Sequence, residues 1–190
     1  MKIAIIDYGA GNTQSVKYAL KRLGCNGVLT SEKEVISSAD KIIFPGVGHA
    51  SSAMNKLKSK GLDLLIPELK QPVLGICLGM QLMCSFSDEG KTDCLKIFDC
   101  NVKRFNNSLK VPQIGWNTVF DLRANLFHSI IENEYMYLVH SYYVPIIIDT
   151  IAKSNYGINY SSAIKKNNFT GVQFHPEKAE VKVKLFLKIL

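Results

Sequence analysis

The stretch Pro72-Val73-Leu74-Gly75-Ile76-Cys77-Leu78-Gly79 decides the fold. A short apolar run behind a proline reads as a buried strand, and the apolar residues from Cys77 to Phe86 read as a helical segment that it feeds directly. A strand turning sharply into a helix leaves no room for side chains beside the residue at the turn. Glycine stands on both sides of Cys77, at 75 and 79. This is the context in which a G-x-S-x-G sequence builds a nucleophile elbow. Cys77 would then sit at a helix N-terminus, which favours a thiolate. The Leu78 amide would point to where an oxyanion forms. A buried cysteine in a tight connection fits the same residues, so the pattern needs a base to become chemistry.

Outward from the elbow, the first half of the chain alternates apolar runs with amphipathic ones. Strands are predicted at residues 2–7, 27–30 and 41–44, the last ended by Pro45-Gly46. Helices are predicted at 13–23, closed by Gly24, and at 51–60, closed by Gly61. Ser31 is the expected N-cap of a helix running through Ser37. Continuous apolar strands separated by helices give a parallel sheet covered on both faces, with right-handed crossovers. The fold class is therefore α/β, an open, mostly parallel sheet with helices on both faces. The second half differs. Residues 100–105, 116–120, 134–144, 150–153, 162–165 and 169–174 are strand-like and separated by turns, which predicts antiparallel additions before a final helix at 179–190. With no repeat, linker or low-complexity stretch, residues 1–190 read as a single domain.

The base comes from Gly171-Val-Gln-Phe-His175-Pro-Glu177. Pro176 biases His175 toward an extended conformation, and in an extended segment residues two apart project to the same side. Glu177 can then accept from one ring nitrogen of His175, fixing the tautomer and leaving the other nitrogen to exchange a proton with a thiol. His49, His128 and His140 have no carboxylate two residues away, so His175 is the preferred base.

Two glycine-rich stretches are candidates for backbone contacts. Pro45-Gly46-Val47-Gly48 ends a strand at the same sheet edge as Cys77, and its glycines suit a second oxyanion donor. Asp7-Tyr-Gly9-Ala-Gly11-Asn12 invites a dinucleotide reading, but Gln14 stands where G-x-G-x-x-G needs glycine. That loop reads as a partner or substrate surface instead.

Composition narrows the function further. A net charge of +7 could suggest nucleic acid, yet the arginines are only Arg22, Arg104 and Arg123, and the lysines are scattered. Phosphate and base recognition favours clustered arginine with aromatics, so no nucleic-acid partner is expected. No apolar run approaches the roughly 20 residues that span a bilayer. The N-terminal run stops at Asp7, without the features of a signal peptide. A cytoplasmic protein with no membrane partner is expected. The 5 cysteines form no C-x-x-C pair, which argues against a disulfide framework and against a zinc site. No metal and no cofactor are called for.

Taken together, these segments resemble the class I, triad-type glutamine amidotransferases. The matching stretches are residues 6–12, 45–48, 75–82, Gly115-Trp-Asn117, Val139-His-Ser-Tyr142 and 171–178, in the family's order along nearly the whole chain. The resemblance implies an amidotransferase-like α/β sheet with flavodoxin-like layers. It implies that Cys77 attacks the glutamine carboxamide, with His175 shuttling protons and Glu177 orienting it. Val47 and Leu78 would be the oxyanion-hole amides, and Gly46, Gly48, Gln81, His140, Ser141 and Tyr142 would line the glutamine pocket. It further implies a (βα)8-barrel synthase subunit that forms a heterodimer with this chain and takes its ammonia, with Asn12, Trp116, Tyr137 and Lys178 near the contact. The nearest branch of the family serves histidine biosynthesis. Departures exist: Gln113 stands where the family usually has histidine, and Cys94-Leu-Lys-Ile-Phe98 replaces a more glycine-rich pattern. They leave an ammonia-supplying paralogue for surface-sugar amidination as the alternative. A non-glutaminase cysteine hydrolase is a further alternative, disfavoured by the His-Pro-Glu pairing. A non-catalytic subunit would need a lost triad member, and Cys77, His175 and Glu177 all stand in place.

Overall fold

The computed structural model describes residues 1–178 apart from 107, 125, 126, 128 and 129. The final helix expected at 179–190, and His128, lie outside the described residues. The chain runs β1 (Ile3–Ile6), α1 (Thr13–Arg22), β2 (Gly27–Thr30), α2 (Lys33–Ser37), β3 (Lys41–Gly46), α3 (Ala50–Ser59), α4 (Leu62–Leu65), β4 (Val73–Cys77) and α5 (Leu78–Leu82). It continues through β5 (Cys84–Ser87), β6 (Thr92–Asp93), β7 (Phe98–Arg104), β8 (Gln113–Val119), β9 (Glu134–His140), β10 (Tyr142–Tyr143), β11 (Thr150–Asn155), β12 (Asn159–Lys166) and β13 (Phe169–Val172). Among the described residues, no helix is long and apolar enough to cross a membrane.

Seven strands form the main sheet, in the order β11-β12-β13-β4-β3-β1-β2. β2, β1, β3, β4 and β13 are parallel neighbours, while β12 and β11 add antiparallel at one edge. The central strands β1, β3 and β4 are almost wholly apolar because successive side chains feed opposite faces, and both faces are covered. Ala4, Ile6, Ile42 and Phe44 pack with Ala53, Met54 and Leu57 of α3. Ile3, Ile5, Ile43 and Leu74 pack on the other side with Val16, Ala19 and Leu20 of α1. On that second face the hairpin β8–β9 joins α1, contributing Val119, Met136 and Leu138 to the same core.

Three local expectations are corrected. The strand at 41–44 runs on through Pro45-Gly46. Ile42 donates its N–H to Pro72, so Pro45, on the alternate set, turns its missing N–H away from β4. That side is β1's, whose pairing stops at Ile43, so no ladder bond is lost. The cap of α2 falls on Glu32 rather than Ser31, and Thr30 Oγ1 accepts the Glu32 N–H at 3.0 Å. The helical segment expected at 77–86 ends at Leu82. Met83 O accepts from Ile97 and Phe98, turning the chain into β5 of a four-stranded sheet ordered β10-β7-β5-β6.

Candidate active site

Cys77 is the last residue of β4 and stands immediately before α5. Its backbone sits at φ 53 and ψ −111, a conformation that an L-residue adopts only at a cost on the order of 1–3 kcal/mol. Clearance beside it comes from glycine. A Cβ at Gly75 would lie 2.5 Å from Met83 Cε, one at Gly46 2.5 Å from Gly79 N, and one at Gly79 would overlap the Phe44 carbonyl oxygen. β3, β4 and α5 therefore meet backbone to backbone behind the sulfur. Because α5 has only 5 residues, help for a thiolate comes from the unpaired amides of its first turn rather than from a long helix dipole.

β13 brings the histidine. It pairs parallel with β4 from Phe169↔Val73 to Val172↔Ile76, so the chain beyond it emerges at the edge that carries Cys77. His175 N–H donates to Tyr137 O at 2.9 Å, tying this segment to β9. His175 Nδ1 and Glu177 Oε1 are 2.8 Å apart, and both side chains are almost wholly buried. The spacing works for a different reason than expected: Pro176–Lys178 is a 3-10 turn, which folds the carboxylate back onto the ring. Burial disfavours charge on His175, but Cys77 and Glu177 outweigh it and raise its pKa to about 10. The sulfur is near enough to act on the ring without a formed N–H···S bond, for Nε2 is buried with no hydrogen-bond partner among the described residues. Glu177 Oε2 is likewise buried, with no partner among the described residues.

Cys77 and His175 open into one cavity of about 260 Å³. Val47, Gly48, Leu78, Gln81, His140, Ser141 and Tyr142 line it. Gly46 does not; it is buried in β3, where it admits Gly79. Glu177 stands behind His175 rather than in the wall. His140 is held by Tyr142 O at 2.8 Å from its Nδ1, with Tyr160 Oη 3.4 Å from its Nε2. Burial lowers its pKa to about 4, against the pull of the Tyr142 carbonyl, so it is a neutral wall residue and no rival base. His49 is also spoken for, its Nδ1 2.9 Å from Ser51 Oγ. Gln113 accepts from Tyr160 Oη at 3.1 Å, which links the position that departs from the family pattern to the His140 wall.

Two residues escaped the sequence reading. Glu89 lines the cavity from a loop that carries no signature, its Oε2 accepting the Ala50 N–H at 2.8 Å. Gln173 is fully buried and places Nε2 3.6 Å from Cys77 Sγ. Its position two residues before His175 was the available signal.

Outside the cavity, Trp116 and Tyr137 meet edge to face at 5.7 Å, and Lys178 Nζ lies 4.4 Å from the Tyr137 ring centre. Trp116 is 54% exposed. Tyr137 also packs near His175, 6.4 Å between ring centres, so this patch adjoins the site. Asn12 is exposed at the head of α1, its Oδ1 accepting the Ser15 N–H at 3.3 Å.

Residues 4–184 match the family model described as glutamine amidotransferase class-I. A relative from Bacteroides fragilis, named imidazole glycerol phosphate synthase subunit HisH, is 56% identical over 94% of this chain and 93% of its own. A protein of the same name from Haemophilus influenzae is 48% identical over 99% of this chain and 96% of its own. Among solved structures, a glutamine amidotransferase superposes with a TM-score of 0.76 at 16% identity, covering 98% of this chain and 97% of that one. A glutamine amidotransferase from Thermotoga maritima gives 0.66 at 17% identity, covering 99% and 81%.

Proposed function

Because the chain belongs to the class I glutamine amidotransferase family, we propose that it hydrolyses glutamine to glutamate and ammonia as the glutaminase subunit of an imidazole glycerol phosphate synthase. The observation that carries the chemistry is the buried His175–Glu177 pair, whose free Nε2 shares a cavity with Cys77. A histidine held protonated beside a sulfur is suited to a thiolate–imidazolium pair.

In this reading Cys77 Sγ attacks the carboxamide carbon of glutamine, and the oxygen of the tetrahedral intermediate takes hydrogen bonds from the Leu78 and Val47 amides. His175 Nε2 gives its proton to the departing nitrogen, so ammonia leaves and a glutamyl thioester remains. Water then attacks the thioester with His175 as base, restoring the thiolate and releasing glutamate. Glu177 keeps Nδ1–H pointed at itself, which leaves Nε2 as the working nitrogen. The substrate is a zwitterion, so the Glu89 carboxylate suits its ammonium group, while Gln81 and the segment at Ser141-Tyr142 suit the remainder. The pathway is histidine biosynthesis, as the shared name of the relatives suggests. A (βα)8-barrel synthase partner, docked over Trp116, Tyr137 and Lys178 beside the cavity, would receive ammonia before it reaches water. A cytoplasmic setting suits that metabolism.

The test is replacement of Cys77 by alanine. Ammonia release from glutamine should fall about 10⁴-fold or more, since members of a nucleophile–base unit fail together. Binding of the synthase partner, followed by size-exclusion chromatography, should persist. Ammonia released at the wild-type rate would remove Cys77 from the mechanism.

A further inference from the structure

Gln173 is the buried polar side chain that touches the sulfur, and its orientation is dictated by a chain of bonds. Gln81 lies 2.9 Å from Tyr142 O through its Nε2; a main-chain carbonyl only accepts, so that atom must be the amide nitrogen. The same nitrogen lies 2.8 Å from the Gln173 side chain, which must therefore present its oxygen, Oε1, there. The other end of the Gln173 amide, Nε2, is then a donor, and it is aimed at Cys77 Sγ at 3.6 Å. The backbone is fixed as well, since Gln173 N–H donates to Ser162 O at 2.8 Å. The Tyr142 carbonyl thus holds two glutamine amides in series, with one outcome: an N–H pointed at the nucleophile.

We infer that Gln173 is a fourth working residue around Cys77, a donor that stabilises the thiolate and holds it in line for attack. The inference rests on the reading of Cys77 as the nucleophile. The alternative contact of the sulfur, Val139 O at 3.9 Å, serves only a protonated thiol as donor. A thiolate loses that contact and keeps Gln173, so the amide discriminates between the two states in favour of the charged one. Among the described residues, the other ionisable groups around the sulfur are His175 with Glu177 behind it, Tyr8, Glu89 across the cavity, and His140 in the wall. Of these only His175 favours the thiolate. Gln173 adds to it without charge, and so without competing for the imidazolium proton.

The test is the pH profile of iodoacetamide labelling of Cys77 in the full chain, read on the peptide that carries it, for the wild type, Gln173→Met and Gln173→Glu. Methionine keeps the length and removes the donor, and labelling at neutral pH should slow about tenfold, rejoining the wild-type rate in strong base. Glutamate keeps the acceptor for Gln81 but sets a carboxylate by the sulfur, and should slow labelling about a hundredfold. The kcat for glutamine should fall in the same order while KM stays within about threefold, as for an interaction made in the reaction rather than in binding. A folded variant that labels with the wild-type profile overturns the inference. If methionine prevents folding, Gln173→Asn, which keeps the amide but draws it back from the sulfur, decides the matter, with slowed labelling at neutral pH expected and the wild-type profile overturning the inference. Wild-type protein that labels readily but releases no ammonia even with its synthase partner and the acceptor substrate present would defeat the glutaminase reading and leave the hold of Gln173 on the sulfur intact.

Discussion

The two halves of the site are made by different means. On the side of β3, β4 and α5, the backbone that carries the nucleophile is set by main chain packed on main chain. Cys77 sits in a conformation that few L-residues adopt, and Gly46, Gly75 and Gly79 exist to let backbone touch backbone. On the side of β9, β10 and β13, positioning is done by hydrogen bonds that side chains make: His175 with Glu177, His140 and Gln81 with the Tyr142 carbonyl, and Gln81 with Gln173. The difference teaches where each half can tolerate change. A backbone-built half fails sterically and all at once, whereas a hydrogen-bonded half is graded and responds to pH.

Gly79→Ala breaks the comparison most sharply. Its Cβ would overlap the Phe44 carbonyl oxygen, which is main chain in the middle of a sheet and cannot swing away. A loss of more than about 4 kcal/mol in unfolding free energy, or failure to fold, is expected by urea denaturation. A loss under about 1 kcal/mol would mean that β3 and α5 are less closely seated than described.

The graded half should reveal itself through His140. Burial holds its folded-state pKa near 4, against 6.5 for the free side chain. As pH falls from 6.5 to 4 the unfolded chain takes up a proton that the folded site refuses, so stability present above pH 6.5 drains away by something on the order of 3 kcal/mol. His175 has the opposite sign. With its folded pKa raised to about 10, its contribution is complete below pH 6.5 and is lost as pH rises toward 10. His140→Gln should therefore flatten the acid limb of the stability profile and leave the alkaline limb alone. Equal acid slopes in the variant and the wild type would count against a buried neutral His140.

The smallest effect belongs to the exposed patch. Trp116→Ala should change unfolding free energy by no more than about 0.5 kcal/mol, because the indole is largely in water. Affinity for the synthase partner, measured by calorimetry, should drop at least about tenfold if that ring anchors the contact. Unchanged affinity would move the docking surface elsewhere.

Legibility in the sequence followed the same division. The elbow could be read because glycine is the sole residue that fits such contacts, so Gly75 and Gly79 announce themselves. The parallel strands could be read because burial on both faces leaves continuous apolar runs. What stayed hidden was made by long-range bonds. Residues 84–87 look helical by composition, yet Met83 O captures Ile97 and Phe98 and turns them into a strand. Pro45 looks like a strand terminator until the shortness of β1 is known. Gln173 looks like any polar residue in a strand until Gln81 and Tyr142, distant in sequence, fix which end of its amide meets the sulfur. Glu89 had no local signal at all.

The place of β13 in the sheet has a consequence for how the chain comes into being. It is inserted between β4 and β12 although it is made long after β4, and it leads directly into His175. A nascent polypeptide emerging from the ribosome carries the cysteine well before its imidazole exists. Until β13 slots into the open edge of β4, the thiol has no base, and no ammonia can be spilled by a half-finished molecule. Strand order thus makes biosynthesis itself the safety catch on the chemistry.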